Sequence, residues 1–153
     1  VDQMLAEKFG MEYVDADGKK KNPYIIHRTS IGCYERTLAL LIEKYAGALP
    51  MWLMPTQIKV LPISERHHGY AAKVTEQLAN AGLRVENDTR NEKIGYKIRE
   101  AQLQKIPYML IVGDKEAEEG TVSVRSRKEG DAGALPVEEF LSRALLEVAA
   151  KAK

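Results

Sequence analysis

The apolar residues of the C-terminal two-thirds of the chain change period several times. Residues 57–63, QIKVLPI, form a short and nearly continuous apolar run that predicts a strand. Over 70–81, Val74, Leu78 and Ala81 return at helical spacing, and Gly82 stands just past the end, where a glycine commonly closes a helix. Residues 83–86 predict a short strand. Residues 93–105 predict a helix with Ile94, Ile98 and Ala101 turned inward. Residues 108–112, YMLIV, are apolar throughout, as expected of a strand covered on both faces. Gly120 opens a further strand over 121–127, with Val122 and Val124 inward and Ser123 and Arg125 outward. Pro136 with Glu138 and Glu139 then marks the start of a last helix, and Phe140, Leu141, Ala144, Leu145 and Val148 form its apolar stripe. The closing lysines suit the helix dipole.

The first third reads differently. Residues 11–14 and 24–28 predict strands around Asp15-Ala16-Asp17-Gly18, a turn signal. The two aspartates also raise a calcium loop, but an EF-hand needs a glycine at its sixth position and a glutamate at its twelfth, and neither is there. From Gly32 the pattern is helical, with Tyr34, Leu38, Leu41, Ile42 and Tyr45 three and four apart, until Gly47 and Pro50 stop it. Two parts follow, 1–50 and 55–153. Strands alternating with helices in the second imply crossover connections, hence an α/β layer fold. The expected sheet is mixed but mostly parallel, has about five strands flanked by helices, and carries the strand at 121 as an antiparallel edge.

Composition narrows the function classes. At 153 residues, 44% hydrophobic and 29% charged, the chain can bury a core without disulfides or metal. Its net charge of +1 does not by itself announce nucleic acid, so a basic footprint has to be local. One cysteine, Cys33, allows no internal disulfide, which favours a reducing, cytoplasmic setting. No apolar run approaches the roughly 20 residues of a membrane helix, so no membrane partner is expected. The start, VDQMLAEKFG, shows no signal-peptide pattern and no initiating methionine, as expected of a piece of a longer protein.

Two clusters could carry chemistry. In HRTSIGCYER, residues 27–36, Glu35 and Arg36 enter the first turn of the predicted helix. An arginine is unfavourable beside a positive helix N-terminus unless an anion such as phosphate shares the site. A surface arginine paired with Glu35 is the plainer alternative. No Cys or His lies at a zinc-ligand spacing from His27. Cys33 has no Cys-His catalytic pattern and reads as a small buried residue. The second cluster is TRNEKIGYKIREAQLQKIPYMLIVGDKE, residues 89–116. Asn91 and Lys93 precede the helix, Lys97, Arg99 and Lys105 decorate it, Glu116 follows the next strand, and Arg125 lies on the strand after. In open α/β sheets ligands gather outside the carboxyl ends of the strands. The loops at 88–93 and 113–116 therefore become neighbours. Asn and Glu read base edges, Lys and Arg hold phosphates, and RNA is read mostly where single-stranded bases splay out. A solvated helix laced with charge pairs, such as Lys93 or Lys97 against Glu100, explains the same residues equally well.

HRTSIGCYER resembles the third signature of the class II aminoacyl-tRNA synthetases, in the form of the threonyl-tRNA synthetase family. DTRNEKIGYKIREAQLQKIPYMLIVGDKE resembles the core of that family's anticodon-binding domain, and WLMPTQIKVLPI its opening strand. The resemblance covers nearly the whole chain from about Met11. It implies that residues 1–50 are a strand-helix remnant of the catalytic domain and that 55–153 are the anticodon-binding domain. It implies that Arg36 meets an ATP phosphate and that His27 is one of three zinc ligands, the other two lying upstream. It implies that Asn91, Glu116 and Arg125 contact anticodon bases. Lys105 stands where a bacterial relative has arginine, and lysine lacks the planar fork. ATP and zinc are then expected of the full-length enzyme rather than of this piece, whose partner is the tRNA anticodon loop. The full-length enzyme is expected to be a homodimer through its catalytic domain. The first two class II signatures are missing, so the piece alone is expected to be inactive as a ligase. A non-catalytic accessory protein built on an anticodon-binding-like domain is the alternative.

Overall fold

Two units of chain, Val1–Leu40 and Leu41–Lys153, emerge in the computed structural model, which describes residues 1–29 and 32–152. In the first unit a short helix, α1 (Met4–Lys8), is capped by Asp2, whose Oδ1 accepts the backbone N–H groups of Met4 and Leu5 at 2.9 Å each. β1 (Tyr13–Val14) pairs antiparallel with β2 (Lys20–Lys21). The aspartate-glycine turn between them closes as expected, with Gly18 donating to the Asp15 carbonyl at 2.9 Å and adopting φ +76°. The partner strand, however, is 20–21 and not 24–28. A tight turn commits the residues that directly follow it, and Ile25 instead forms a single bridge with Asp2.

Helix α2 (Tyr34–Tyr45) crosses the division between the units. Cys33, just before it, is exposed rather than buried, and its thiol donates to Glu35 Oε2 at 2.8 Å. The Glu35 carboxylate is thus engaged by a neighbour other than Arg36. Ser30 and Ile31, which belong to the HRTSIGCYER cluster, lie outside the described residues, as does Lys153 among the closing lysines.

The second unit is built on β3 (Ile58–Pro62), α3 (His68–Asn80), β4 (Val85–Asn87), α4 (Ile94–Leu103), β5 (Tyr108–Val112), α5 (Asp114–Glu119), β6 (Thr121–Ser126), β7 (Gly130–Pro136) and α6 (Val137–Ala149). The sheet order is β4–β3–β5–β6–β7. β3 is parallel to both of its neighbours, and the two remaining pairings are antiparallel. All five β3 residues are buried, which accounts for the near-continuous apolar run. Side chains alternate between faces. Ile58, Val60, Leu110, Val112, Val122 and Val124 join α3 and α6 in one core, where Phe140 meets Tyr108 edge-on at 5.5 Å. Leu61 and Met109 point the other way, toward Ala101 of α4 and Ile106.

Two elements of the second unit are absent from the sequence pattern. α5 has six residues, too few to establish a period. β7 runs through Gly130, Ala132, Gly133 and Ala134, which have neither alternation nor strand propensity. Because β7 pairs with β6, the strand at 121 is antiparallel but is not the edge. A β-bulge interrupts this pairing between Val124 and Arg125.

Several cations among the described residues hold backbone in place. Arg84 donates to the carbonyls of Trp52, Met54 and Pro55 at 2.8–3.2 Å. Arg127 donates to the carbonyls of Lys105, Ala48 and Leu49 at 2.6–3.3 Å. Another, Lys97, belongs to the site.

Candidate nucleic-acid interface

β3, β4 and β5 point the same way, so the loops that follow them share one edge of the sheet. Successive strands lie on opposite sides of β3, and this reversal of strand order opens a crevice at that edge. The loop after β4 enters it with Asp88, whose N–H donates to the Val60 carbonyl at 3.0 Å. The buried Asp88 carboxylate takes both arms of Arg90, at 2.8 Å from Nε and 2.6 Å from Nη2. That guanidinium holds the Asp88 carboxyl below the usual carboxylate range, against the opposing effect of burial. Arg90 also binds Glu100, so Glu100 pairs with Arg90 and not with Lys93 or Lys97.

Lys97 departs most from the sequence reading. It is 2% exposed and turns inward beside Ala101. Its Nζ donates to the carbonyls of Pro62 at 3.2 Å and Asp88 at 3.0 Å. It therefore does not decorate α4 and cannot hold a phosphate in solvent. It joins the end of β3 to the start of the β4–α4 loop. Charge normally marks the solvent face, so a lysine among inward positions reads as outward. Here the carbonyls left by two strand ends, Pro62 after β3 and Asp88 after β4, supply the acceptors that a buried ammonium needs.

The loop after β5 is tight. A Cβ on Gly113 would lie 2.9 Å from Ile63 Cδ1 and 3.0 Å from Glu116 Oε2. Glu116, the third residue of α5, turns back so that Oε2 accepts the Gly113 N–H at 2.9 Å. Its second carboxylate oxygen has no role in that cap. Asp114, the first residue of α5, meets His67 Nε2 at 2.9 Å and Arg66 Nη2 at 2.7 Å. The hydrogen bond to His67 is the main cause holding the Asp114 carboxyl below its usual range. Sequence reasoning missed His67, whose partner lies 47 residues away, so no local pattern could reveal the pair.

The remaining candidates fall along α4. Asn91 and Lys93 are exposed in the loop that leads into it, and Arg99 is exposed on its flank. Gln102, one turn beyond Arg99, lines a depression of about 270 Å³ with Met109, Arg125 and Arg127. Arg125 sits opposite Met109 in the β5–β6 register. Three residues of strand separate Met109 from the carboxyl end of β5, so Arg125 is roughly 10 Å from the edge that carries Glu116. Asn91, Lys93 and Glu116 thus share the loop edge, while Arg99 and Arg125 extend the surface down the α4 side of the sheet. Lys105 takes φ +58° just past α4, a position that usually favours glycine. Lys105 and Ile106 donate backward to the Gln102 and Ala101 carbonyls at 3.0 and 3.1 Å, closing the helix. The Lys105 ammonium donates to the Ala46 carbonyl.

In the first unit, His27, Arg28 and Arg36 are all exposed. Among the described residues no three His, Cys, Asp or Glu side chains gather to hold a metal ion. Arg36 lies in the first turn of α2, where its exposed guanidinium faces solvent. Among the described residues no helix is long and apolar enough to cross a membrane.

Known proteins resemble this chain along nearly its whole length. Threonine–tRNA ligase of Clostridium perfringens strain 13 is 63% identical over 149 residues, covering 97% of this chain. Threonine–tRNA ligase of Caldanaerobacter subterraneus subsp. tengcongensis is 57% identical over 152 residues, covering 99%. The chain spans 23% and 24% of these relatives, about a quarter of their length. The crystal structure of the RNA binding domain of threonyl-tRNA synthetase from Cryptosporidium parvum Iowa II superposes with a TM-score of 0.74 at 34% identity. That match covers 95% of this chain and 37% of the other. Residues 57–146, from the start of the sheet to the last turn of α6, match the family model described as the anticodon binding domain, and the chain belongs to that family.

Proposed function

We propose that this chain is the anticodon-reading part of a threonine–tRNA ligase, the enzyme that activates threonine with ATP and transfers it to its tRNA. The observation that carries the reading is the convergence of Asn91, Lys93 and Glu116 on one sheet edge, continued along α4 by Arg99 and Arg125. Asn91, Glu116 and Arg125 offer side-chain groups for base edges, and Lys93 and Arg99 offer charge for the RNA backbone. Lys97 has a different role in this proposal, as the support that fixes the loop carrying Asn91. Lys105 is engaged with a backbone carbonyl and is left out of the base-reading set.

Residues 1–50 are proposed to belong to the catalytic domain of the same enzyme, with Arg36 facing ATP phosphate and His27 toward zinc. The cytoplasmic setting and the homodimer belong to the same proposal. The named relatives are ligases, which favours this reading over a non-catalytic accessory protein. The test is binding of the purified chain to anticodon stem-loops. A threonine-accepting stem-loop should bind more tightly than stem-loops with other anticodons across a salt series, and equal binding to all of them would sink the proposal. The same chain should give no threonine-dependent pyrophosphate exchange, because one arginine and one histidine cannot assemble the charge-stabilising site adenylation needs. An exchange signal above that of a blank preparation would contradict it.

A further inference from the structure

His67 is buried, with 4% of its side chain exposed, and both ring nitrogens are engaged. The Ser64 backbone N–H points at Nδ1 from 3.3 Å, and Ser64 Oγ lies 3.1 Å from the same nitrogen. A backbone N–H can only donate, so Nδ1 is the acceptor and the ring proton of the neutral imidazole sits on Nε2. Nε2 faces Asp114 Oδ1 at 2.9 Å. The flat ring is thus a two-sided connector. One side caps the turn that follows β3, and the other holds the first residue of α5. Arg66 also reaches Asp114, but its side chain is 70% exposed, and such pairs contribute little. The buried connection is the one that can fix position.

We infer that His67 is a positioning residue for Glu116, anchoring the first turn of α5 to the end of β3 and so setting where the free oxygen of Glu116 meets an RNA base. This rests on the reading of Glu116 as a base contact. α5 has six residues and cannot hold its own shape. Its start is fixed from three directions: the strand β5 behind it, Ile63 pressed against Gly113, and His67 on Asp114. The first two set where the chain turns, and neither restrains the far side of the turn. Released from His67, Asp114 keeps only its exposed arginine. The Glu116 carboxylate, tied to the Gly113 N–H, then moves with a loosened turn.

Two amide substitutions separate the two sides of the ring. His67→Gln places an amide N–H near the Nε2 position and preserves the link to Asp114. His67→Asn places a carbonyl oxygen near Nδ1, preserves the Ser64 cap and loses the link. The measurement is affinity of the full 153-residue chain for a threonine-accepting anticodon stem-loop. His67→Gln should bind within about twofold of the parent, and His67→Asn should lose roughly three- to tenfold, the worth of one hydrogen bond. In a Glu116→Ala background the His67→Asn loss should vanish, because the two changes act through one contact. Hydrogen exchange at the Ala117 amide, which bonds the Gly113 carbonyl at 3.1 Å, should speed up in His67→Asn and not in His67→Gln. Asp114→Ala, a change at an exposed residue that leaves the core intact, should reproduce the His67→Asn result if that variant folds poorly. Equal losses in the Asn and Gln variants, or a loss that persists without Glu116, would overturn the inference while leaving the anticodon reading intact. A Glu116→Ala chain that binds every stem-loop as the parent does would overturn the inference together with the reading of Glu116 as a base contact.

Discussion

Lys97→Ala should destabilise the second unit by about 2–4 kcal/mol in urea unfolding, the sum of a buried cavity and two orphaned carbonyls. The ammonium is 2% exposed and donates to the carbonyls of Pro62 and Asp88. Removing it strands both acceptors where water cannot reach them. Lys97→Met, which refills the volume but not the hydrogen bonds, should fall between parent and alanine. Neither variant should change the slope of RNA affinity against salt at temperatures where the fold is intact. Lys93→Ala should reduce that slope by roughly 0.7, the share of one phosphate contact on a single strand. If Lys97→Met left stability untouched and flattened the salt slope instead, the lysine would be a phosphate ligand after all. The neighbouring Asp88 adds a pH signature. Its carboxyl is held down in the fold by Arg90, so its contribution is complete above the ordinary carboxylate range. That contribution is lost as pH falls through the depressed folded value. Asp88→Asn should therefore lower stability at neutral pH and shallow the acid limb of the stability curve.

Alanine at Asn91, Glu116 or Arg125 should each weaken binding of a threonine-accepting stem-loop by about 1–3 kcal/mol and narrow its margin over other anticodons, by analogy with base contacts in general. The three should not be equivalent in position. Asn91 and Glu116 share the loop edge, whereas Arg125 lies roughly 10 Å away along β5. Substituting Arg125 should therefore relax preference at a different base from that affected by Asn91 or Glu116. Stem-loops varied one base at a time measure this directly. A Glu116→Ala chain that loses affinity equally for every stem-loop would make Glu116 part of a solvated loop rather than a base reader.

Much of this arrangement is legible in the sequence, and the failures share a cause. β3 and β5 are visible because burial on both faces writes a continuous apolar run, and α3 because Gly82 marks its end. The sharing of an edge by Asn91 and Glu116 follows from topology alone. β7 is silent because its small residues carry no alternation, and α5 because it is one and a half turns long. Lys97 is misread for a different reason. Its acceptors are backbone atoms from two distant segments, and the carbonyl of any residue serves as well as another. Sequence pattern reports side chains, so a charge whose partners are main-chain oxygens looks unpartnered. His67 and Asp114 are hidden by separation, since each alone is an ordinary polar residue after a strand.

The same backbone chemistry has a consequence for how this domain tolerates change. Arg84, Arg127 and Lys97 together fasten residues 48–55, the end of β3 and the start of the β4–α4 loop entirely through carbonyl oxygens. A carbonyl is present whatever side chain its residue bears. The exposed positions of the fastened segments are thereby free to drift in sequence, provided the path of the chain is kept, while the fastening cations and the buried Leu49, Met51, Met54 and Asp88 are not. Mutational sensitivity in these regions should accordingly be lopsided: high at the scattered basic residues and the buried side chains, and low at the exposed positions whose carbonyls they hold.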